Sequence, residues 1–342
     1  MISTILIIAI SLAVLALLVT AALSPIETLS WWAGWTETEI EQNDASCVAD
    51  RPCAHPADCQ PKSVYIVYLS GISSLSGRFL IPREKVFVKG LAQHFPDAAV
   101  IDDVFPYSPA GVALLASTRL LERVWRFVQR IKLEGRATVL SLLIHLRNVF
   151  QVLISADHRY GPIFNHGAAR VIEEALARAG YRQGSGAPVV IIGYSGGGQI
   201  AVGAAGFLKL HLQAPIDVIA IGGVIASDPG LHFVRRLHFI YADHDNIQKV
   251  GAVMFPERWA AMAHSEWNTA KRQGRIIFHK ISRMFHSGAR GYFGLVKFDG
   301  VSNNQRTLKM VVDILSQTPA QPQANDAAPA INQAEPSTVP QP

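Results

Sequence analysis

Residues 188–200 of the 342-residue chain read PVVIIGYSGGGQI, an apolar run that leads directly into a glycine-rich turn. The β-branched run 189–192 predicts a buried strand, and residues 199–210 carry a helical pattern. Between them, Gly193, Ser195 and Gly197 form the pattern G-x-S-x-G. Glycines two positions before and after the serine let strand and helix approach, and the hydroxyl is then exposed at the helix N-terminus. A purely structural glycine turn is the alternative; a P-loop is disfavoured because no Lys-Ser/Thr follows.

Strands and helices alternate on both sides of this turn. Apolar runs predict further strands at 64–69, 98–105, 218–225, 237–242 and 275–281. Helical patterns cover 82–95 and 168–179, and a closing helix contains Leu308 to Leu315. Asn165 is the predicted cap of the second of these helices. Alternation of this kind predicts an α/β fold, with a mostly parallel central sheet and helices on both faces.

The segment 112–160 interrupts the alternation and is too long for a simple connection. Its first half has an apolar stripe containing Trp125 opposite an arginine-rich face, which suits a membrane interface; a solvated helix packed on its own domain is the alternative. Its second half, 137–155, is nearly all apolar. Arg147 at its centre disfavours a membrane span. We therefore predict a helical lid or substrate wall.

The N-terminus carries the clearest membrane signal. Residues 2–23 contain no charged side chain and would span about 30 Å as a helix. They lack the basic flank of a signal peptide, so we predict a retained single-pass anchor over 1–25. Trp31, Trp32 and Trp35 follow, as in an interfacial belt, although a small core cluster is the alternative. The acidic flank favours an extracytoplasmic body.

The segment 26–61 is predicted to be a linker that contains all three cysteines. Cys47, Cys53 and Cys59 fit free thiols or one disulfide, and their spacing matches no common zinc site. Residues 317–342 are rich in Pro, Gln, Ala and Asn without apolar periodicity, which predicts a disordered tail. The fold is therefore expected within 62–316.

The net charge does not by itself identify the class of partner. The net charge is +5, but all 31 basic residues lie in 47–316 with 19 acidic ones, so this body carries +12. A basic body fits an anionic membrane, an acidic substrate or nucleic acid. No recognised nucleic-acid motif appears, and the bases interleave with an apolar stripe. We therefore favour the membrane and exclude nucleic acid as the expected partner.

After the predicted strand 237–242 the chain reads ADHDNI over 242–247, and with the G-x-S-x-G turn this resembles the α/β-hydrolase family across 62–316. The resemblance, to a membrane-anchored serine esterase or lipase, implies the chain order nucleophile, acid, histidine. Asp245 takes the acid position, with Ala242 in place of the family's usual glycine. Asp243 and Asp228 are the alternatives.

The same order implies a histidine after the last strand. His286 lies on the loop after 275–281 and before the closing helix. His279 falls inside that strand, so its side chain is expected to point at a sheet face, and His264 is a further alternative. We therefore predict Ser195, Asp245 and His286 as the catalytic residues.

An oxyanion would be bound at two backbone N–H groups. The first is that of Gly196, at the N-terminus of the helix that follows Ser195. The second comes from the resemblance: Ser70-Gly71-Ile72 is similar to the family's His-Gly-X, with Ser70 in place of the histidine. That register assigns the N–H of Ile72.

The resemblance implies hydrolysis of a carboxylic ester through an acyl-enzyme, without a metal or organic cofactor. The anchor and the basic insertion favour a small-molecule or lipid ester close to a bilayer. An acyltransferase or thioesterase on the same triad is one alternative, and a non-catalytic, membrane-tethered binding module is another.

Overall fold

The computed structural model describes residues 61–74, 80–109 and 139–317, together with seven positions between 15 and 33. Within these ranges the chain forms eight strands and seven α-helices. The strands are β1 (Val64–Leu69), β2 (Ala98–Ile101), β3 (Val189–Tyr194), β4 (Ile216–Ile221), β5 (Arg236–Ala242), β6 (Ile276–Ile281), β7 (Lys297–Phe298) and β8 (Val301–Ser302). The helices are α1 (Pro82–His94), α2 (Val139–Ala156), α3 (Gly161–Arg178), α4 (Gly196–Leu212), α5 (Asn246–Met254), α6 (Glu266–Arg272) and α7 (Asn303–Gln317).

The first six strands form one sheet in the order β2-β1-β3-β4-β5-β6, and every neighbouring pair is parallel. From β1 the chain moves outward to β2 and then returns to the other side of β1 as β3. The order of the strands therefore reverses between β1 and β3, and the loops that leave their carboxyl ends diverge. Ligand sites of open parallel sheets lie at such a switch point.

Helices cover both faces of this sheet, as predicted. On one face Phe164 of α3, Leu208 of α4 and Trp267 of α6 are buried in one apolar cluster. On the other face Phe87 of α1 and Val311 of α7 are buried in a second cluster. Because helices cover both sides, β3 and β4 are buried along their whole length and are rich in apolar residues. The charged exception, Asp217 of β4, forms an ion pair with Arg235.

Two strands are shorter than predicted. β2 ends at Ile101 instead of residue 105, and β4 ends at Ile221 instead of residue 225. Val104, Phe105 and Ile225 are nevertheless buried, because the loops after these strands turn back over the core. The hairpin β7–β8 was not predicted, since two-residue strands carry no periodicity.

The predicted cap at Asn165 is wrong. Helix α3 begins at Gly161, so Asn165 lies inside its first two turns and is buried. Its side-chain nitrogen donates to the carbonyl of Ser155, and its oxygen accepts from the Ser155 hydroxyl. Gly161 allows this early start, because a Cβ there would lie 2.6 Å from Ser155 O.

The second half of the insertion is part of the core. Helix α2 packs against α3 and α4, and its Ile144 and Val152 belong to the cluster on that face of the sheet. Residues 110–138, which include the basic amphipathic stretch, lie outside the described residues.

Several expectations fall on undescribed positions: most of the anchor, Trp31 and Trp35, the three cysteines, and the tail beyond Gln317. Trp32 is described and is exposed. Among the residues that the structure describes, no helix is both long and apolar enough to cross a membrane.

Candidate active site

Ser195 occupies a sharp turn between β3 and α4 at the switch point of the sheet. Its backbone has φ 54° and ψ −119°, a conformation that costs energy for a residue with a side chain. The surrounding backbone holds it there: its N–H donates to Ile221 O at 3.0 Å, and its carbonyl accepts from Gly198 N and Val224 N. The turn places Ser195 directly before the first residue of α4; contrary to the expected exposure of its hydroxyl, the residue is buried, with 4% of its surface exposed.

The two glycines of the G-x-S-x-G pattern are needed for the reason predicted. A Cβ on Gly193 would lie 2.5 Å from Gly197 O, and one on Gly197 would lie 2.7 Å from Leu69 O. Both contacts are with backbone, which cannot move aside as a flexible side chain can. The strand, the turn and the helix can therefore meet only if both positions lack a side chain.

His286 bridges Ser195 and Asp245. Its Nε2 lies 2.8 Å from Ser195 Oγ, and its Nδ1 lies 2.9 Å from Asp245 Oδ2. The network assigns the hydrogen of the neutral ring to Nδ1, which donates to the carboxylate and leaves Nε2 to accept from the hydroxyl. The structure thus brings together three side chains that lie after β3, β5 and β6.

Asp245 is fully buried and caps helix α5. Its Oδ1 accepts from Gln248 N at 3.1 Å, and its Oδ2 accepts from His286 and from the hydroxyl of Tyr292 at 2.8 Å. Burial alone would raise the pKa of Asp245. Its hydrogen bond to His286, the electrostatic attraction to that ring, and the hydrogen bonds from Gln248 and Tyr292 hold the pKa below its ordinary value. The carboxylate is therefore ionised at neutral pH.

Sequence reasoning missed two tyrosines that support the imidazole. Tyr292, whose pKa is raised by burial and by Asp245, gives the carboxylate its third donor. Tyr194 stacks on His286 with ring centres 5.5 Å apart, and its hydroxyl donates to His286 O at 2.7 Å. Tyr194 stands inside the G-x-S-x-G motif, and Tyr292 lies on the segment between β6 and β7.

The alternative acids and bases lie elsewhere. Asp243 accepts from the backbone of Arg283. Asp228 caps a short 3₁₀ helix and accepts from Gln199. His279 contacts His238 of the neighbouring strand, with Nε2 and Nδ1 3.0 Å apart, so it does point at a sheet face. His264 is exposed on the loop before α6.

The two residues expected to supply oxyanion donors, Gly196 and Ile72, lie close to each other. Gly196 is the first residue of α4, so its N–H has no partner within the helix. A Cβ on Gly196 would lie 3.0 Å from Cγ2 of Ile72, and one on Gly71 would lie 3.7 Å from Ser195 Cβ. Within the described ranges, no backbone carbonyl accepts a hydrogen bond from the N–H of Gly196 or Ile72.

The described part of the chain includes cavities of about 190 and 500 Å³. The smaller lies between the α2–α3 turn, α4 and the 3₁₀ helix at Pro229–His232, and the larger beside the loop before α6. Neither is lined by Ser195, Asp245 or His286. Among the described residues, no group of three His, Cys, Asp or Glu side chains could hold a metal ion.

No protein-family model and no curated protein sequence matches this chain. An imidazole between a hydroxyl and a buried, ionised carboxylate can remove the hydroxyl proton and stabilise the charge it gains. A helix N-terminus beside that hydroxyl can stabilise an oxyanion.

Proposed function

We propose that this protein is a membrane-anchored serine hydrolase of the α/β-hydrolase family that cleaves a carboxylic ester through an acyl-enzyme. The observation that carries the proposal is the hydrogen-bonded chain from Asp245 through His286 to Ser195, with distances of 2.9 and 2.8 Å. A nucleophile, a base and an orienting carboxylate within hydrogen-bond reach define this class of site on any fold. The strained turn at Ser195 supports the same assignment.

Each step uses groups of this chain. His286 Nε2 accepts the proton of Ser195 as Oγ attacks the carbonyl carbon, while Asp245 stabilises the imidazolium. The N–H groups of Gly196 and Ile72 stabilise the oxyanion, each by about 3 kcal/mol. The intermediate collapses, and the leaving alcohol takes the proton from His286. Water then attacks the acyl group with His286 as base, which releases the acid and restores Ser195. No step uses a metal or organic cofactor.

An exposed apolar stripe beside the site supports a lipid-like substrate. Helix α5 starts directly after Asp245, and its Ile247, Val250 and Val253 are 48%, 45% and 71% exposed. Met254, Trp259 and Met262 extend this surface. A soluble protein rarely leaves so many large apolar side chains together in water unless they contact something. The uncharged stretch 2–23 would hold the site close to a bilayer.

Ester hydrolysis by the full-length protein in detergent micelles tests the reaction. We expect turnover of p-nitrophenyl esters by the wild type, and loss of at least about 10³-fold in kcat for Ser195→Ala. Ser282→Ala, on an exposed turn after β6, is the matched control and should keep wild-type kcat. Equal activity of wild type and Ser195→Ala would refute the proposal. Transfer of the acyl group to an added alcohol or thiol in preference to water would identify an acyltransferase instead.

A chain-length series tests the substrate class. A methylene that becomes buried contributes about 0.8 kcal/mol, so kcat/KM should rise by up to about fourfold per added CH₂. The double variant Val250→Ser/Val253→Ser should flatten this dependence, because it removes apolar surface beside the site. Val86→Ser, at an equally exposed valine of α1, should leave it unchanged. A flat wild-type series would contradict the lipid-like assignment while leaving the hydrolase intact.

A further inference from the structure

The loop that leaves β1 is held by its carbonyl groups. Tyr107 donates its hydroxyl hydrogen to Ser70 O at 2.7 Å, and Ser74 N donates to Gly71 O at 3.0 Å. The next two bonds come from one side chain: Asn148 Nδ2 donates to Ile72 O at 2.8 Å and to Ser74 O at 2.9 Å. The carbonyls of Ser70, Gly71, Ile72 and Ser74 therefore all accept hydrogen bonds, which fixes the orientation of the peptide groups of this loop.

Asn148 lies in α2, within the inserted segment, and is fully buried. Both hydrogens of its amide are used on the loop, and its Oδ1 accepts from Nη1 of Arg147 at 3.0 Å. The same guanidinium nitrogen donates to Tyr107 O at 3.0 Å. A closed network thus ties α2 and the segment after β2 to the loop that leaves β1.

The hydrogen-bonded carbonyl of Gly71 determines the direction of the Ile72 N–H. In a trans peptide the N–H points opposite to the carbonyl of the preceding residue. Because Gly71 O is turned toward Ser74 N, the N–H of Ile72 points away from the turn. Gly71 lies beside the turn at Ser195, because a Cβ on Gly71 would lie 2.8 Å from Cδ1 of Tyr194 and 3.7 Å from Cβ of Ser195. Asn148 holds the carbonyls of the second and last residues of the 71–74 turn, Ile72 and Ser74.

We propose that Asn148 is a positioning residue for catalysis: it fixes the loop so that the N–H of Ile72 joins that of Gly196 in binding the oxyanion. This inference rests on the proposed function and goes beyond it, because it gives the inserted helix α2 a task in the chemical step. Asn148 acts through the loop and touches neither the substrate nor the triad. Tyr107 assists it from the other end of the loop.

Kinetics of Asn148→Leu, a variant of similar shape without donors, test this role in the full-length protein. A donor displaced by about 1 Å can cost about 10²-fold. We expect kcat on a soluble short-chain ester to fall by about 10- to 100-fold while KM changes by less than about twofold. The affinity of a trifluoromethyl ketone, whose adduct with Ser195 carries an oxyanion, should fall by the same factor as kcat.

Ser155→Ala is the matched control. Ser155 is also buried in α2, and its replacement by alanine removes the hydrogen bond that its hydroxyl donates to Asn165, but Ser155 does not touch the loop. It should keep wild-type kcat and ketone affinity. Tyr107→Phe keeps the ring, loses the bond to Ser70 O and should show a smaller loss of both quantities together.

A folded Asn148→Leu with wild-type kcat and ketone affinity would overturn the inference. If that variant does not fold, wild-type values for Tyr107→Phe overturn it instead. Failure of the proposed function looks different, because Ser195→Ala would then hydrolyse the ester as fast as the wild type. Loss of activity in Ser195→Ala alone, with Asn148→Leu and Tyr107→Phe unaffected, would remove only the role of the loop network.

Discussion

Tyr292→Phe probes how the buried carboxylate of the site is stabilised. The ring of Tyr292 is fully buried, and its hydroxyl supplies one of three donors to Asp245 at 2.8 Å. A hydrogen bond to a charged group contributes about 1.5–3 kcal/mol, against about 1 kcal/mol for a neutral pair. The variant keeps the ring and should therefore lose about 1.5–3 kcal/mol of unfolding free energy at pH 7.

The loss should depend on pH. The pKa of Asp245 is held below its ordinary value in the folded protein, so its ionisation stabilises the fold above the unfolded pKa of about 3.9. That contribution disappears as pH falls through the folded pKa. Tyr292 is one of the donors that lower the folded pKa of Asp245, so removing its hydroxyl raises that pKa. The difference in unfolding free energy between wild type and variant should thus shrink toward about 1 kcal/mol as pH falls through the folded pKa of Asp245.

Urea unfolding between pH 3 and 7, followed by circular dichroism on the full chain in mild detergent, measures this difference. Tyr181→Phe is the matched control, because its hydroxyl donates to the neutral carbonyl of Ala187 at 3.2 Å. It should cost about 1 kcal/mol at every pH. A Tyr292→Phe protein as stable as the wild type at pH 7, or a loss with no dependence on pH, would refute the reasoning.

Three further outcomes follow from the site. Asp245→Asn should lower kcat by about 10⁴-fold, because an amide favours the wrong imidazole tautomer; a loss below tenfold in steady-state kinetics would contradict this. Gly197→Ala should destabilise the fold far more than Gly198→Ala in urea melts. A Cβ on Gly197 would lie 2.7 Å from Leu69 O, whereas the atom nearest to a Cβ on Gly198 would be 3.3 Å away. Equal unfolding midpoints for the two variants would contradict this expectation. Burial raises the pKa of Asp228 to about 6, so the folded protein favours the protonated carboxyl group. The stability gained in this way is present below the unfolded pKa and is lost as pH rises through 6. Asp228→Asn should remove a pH dependence of up to about 3 kcal/mol between pH 4 and 7, and an unchanged profile would exclude this origin.

The local sequence pattern was enough to predict the parallel sheet and to single out the three side chains that the structure brings together. Ser195, Asp245 and His286 each follow an apolar strand, and parallel strands bring their carboxyl ends to one edge. The residues that position these side chains could not be predicted from local sequence. Tyr292 lies 47 residues from Asp245, and Asn148 lies 76 residues from Ile72, so only tertiary packing reveals these contacts.

Where prediction failed, tertiary packing overrode a local preference. Asn165 looks like a helix cap, but it faces Gly203 of α4, where a Cβ would lie 2.4 Å from its side chain. Val104 and Phe105 look like the end of a strand because they are apolar, yet they are buried in a loop. Composition cannot separate a buried loop from a strand.

Covalent labelling of Ser195 tests the central claim most directly. A fluorophosphonate reacts only with a serine whose hydroxyl is activated by a neighbouring base. Incubation of the folded full-length protein, followed by digestion and mass spectrometry, should place one adduct per chain on Ser195. Ser195→Ala and His286→Ala should show none. Absence of an adduct in the folded wild type, or an adduct on another serine, would contradict the account.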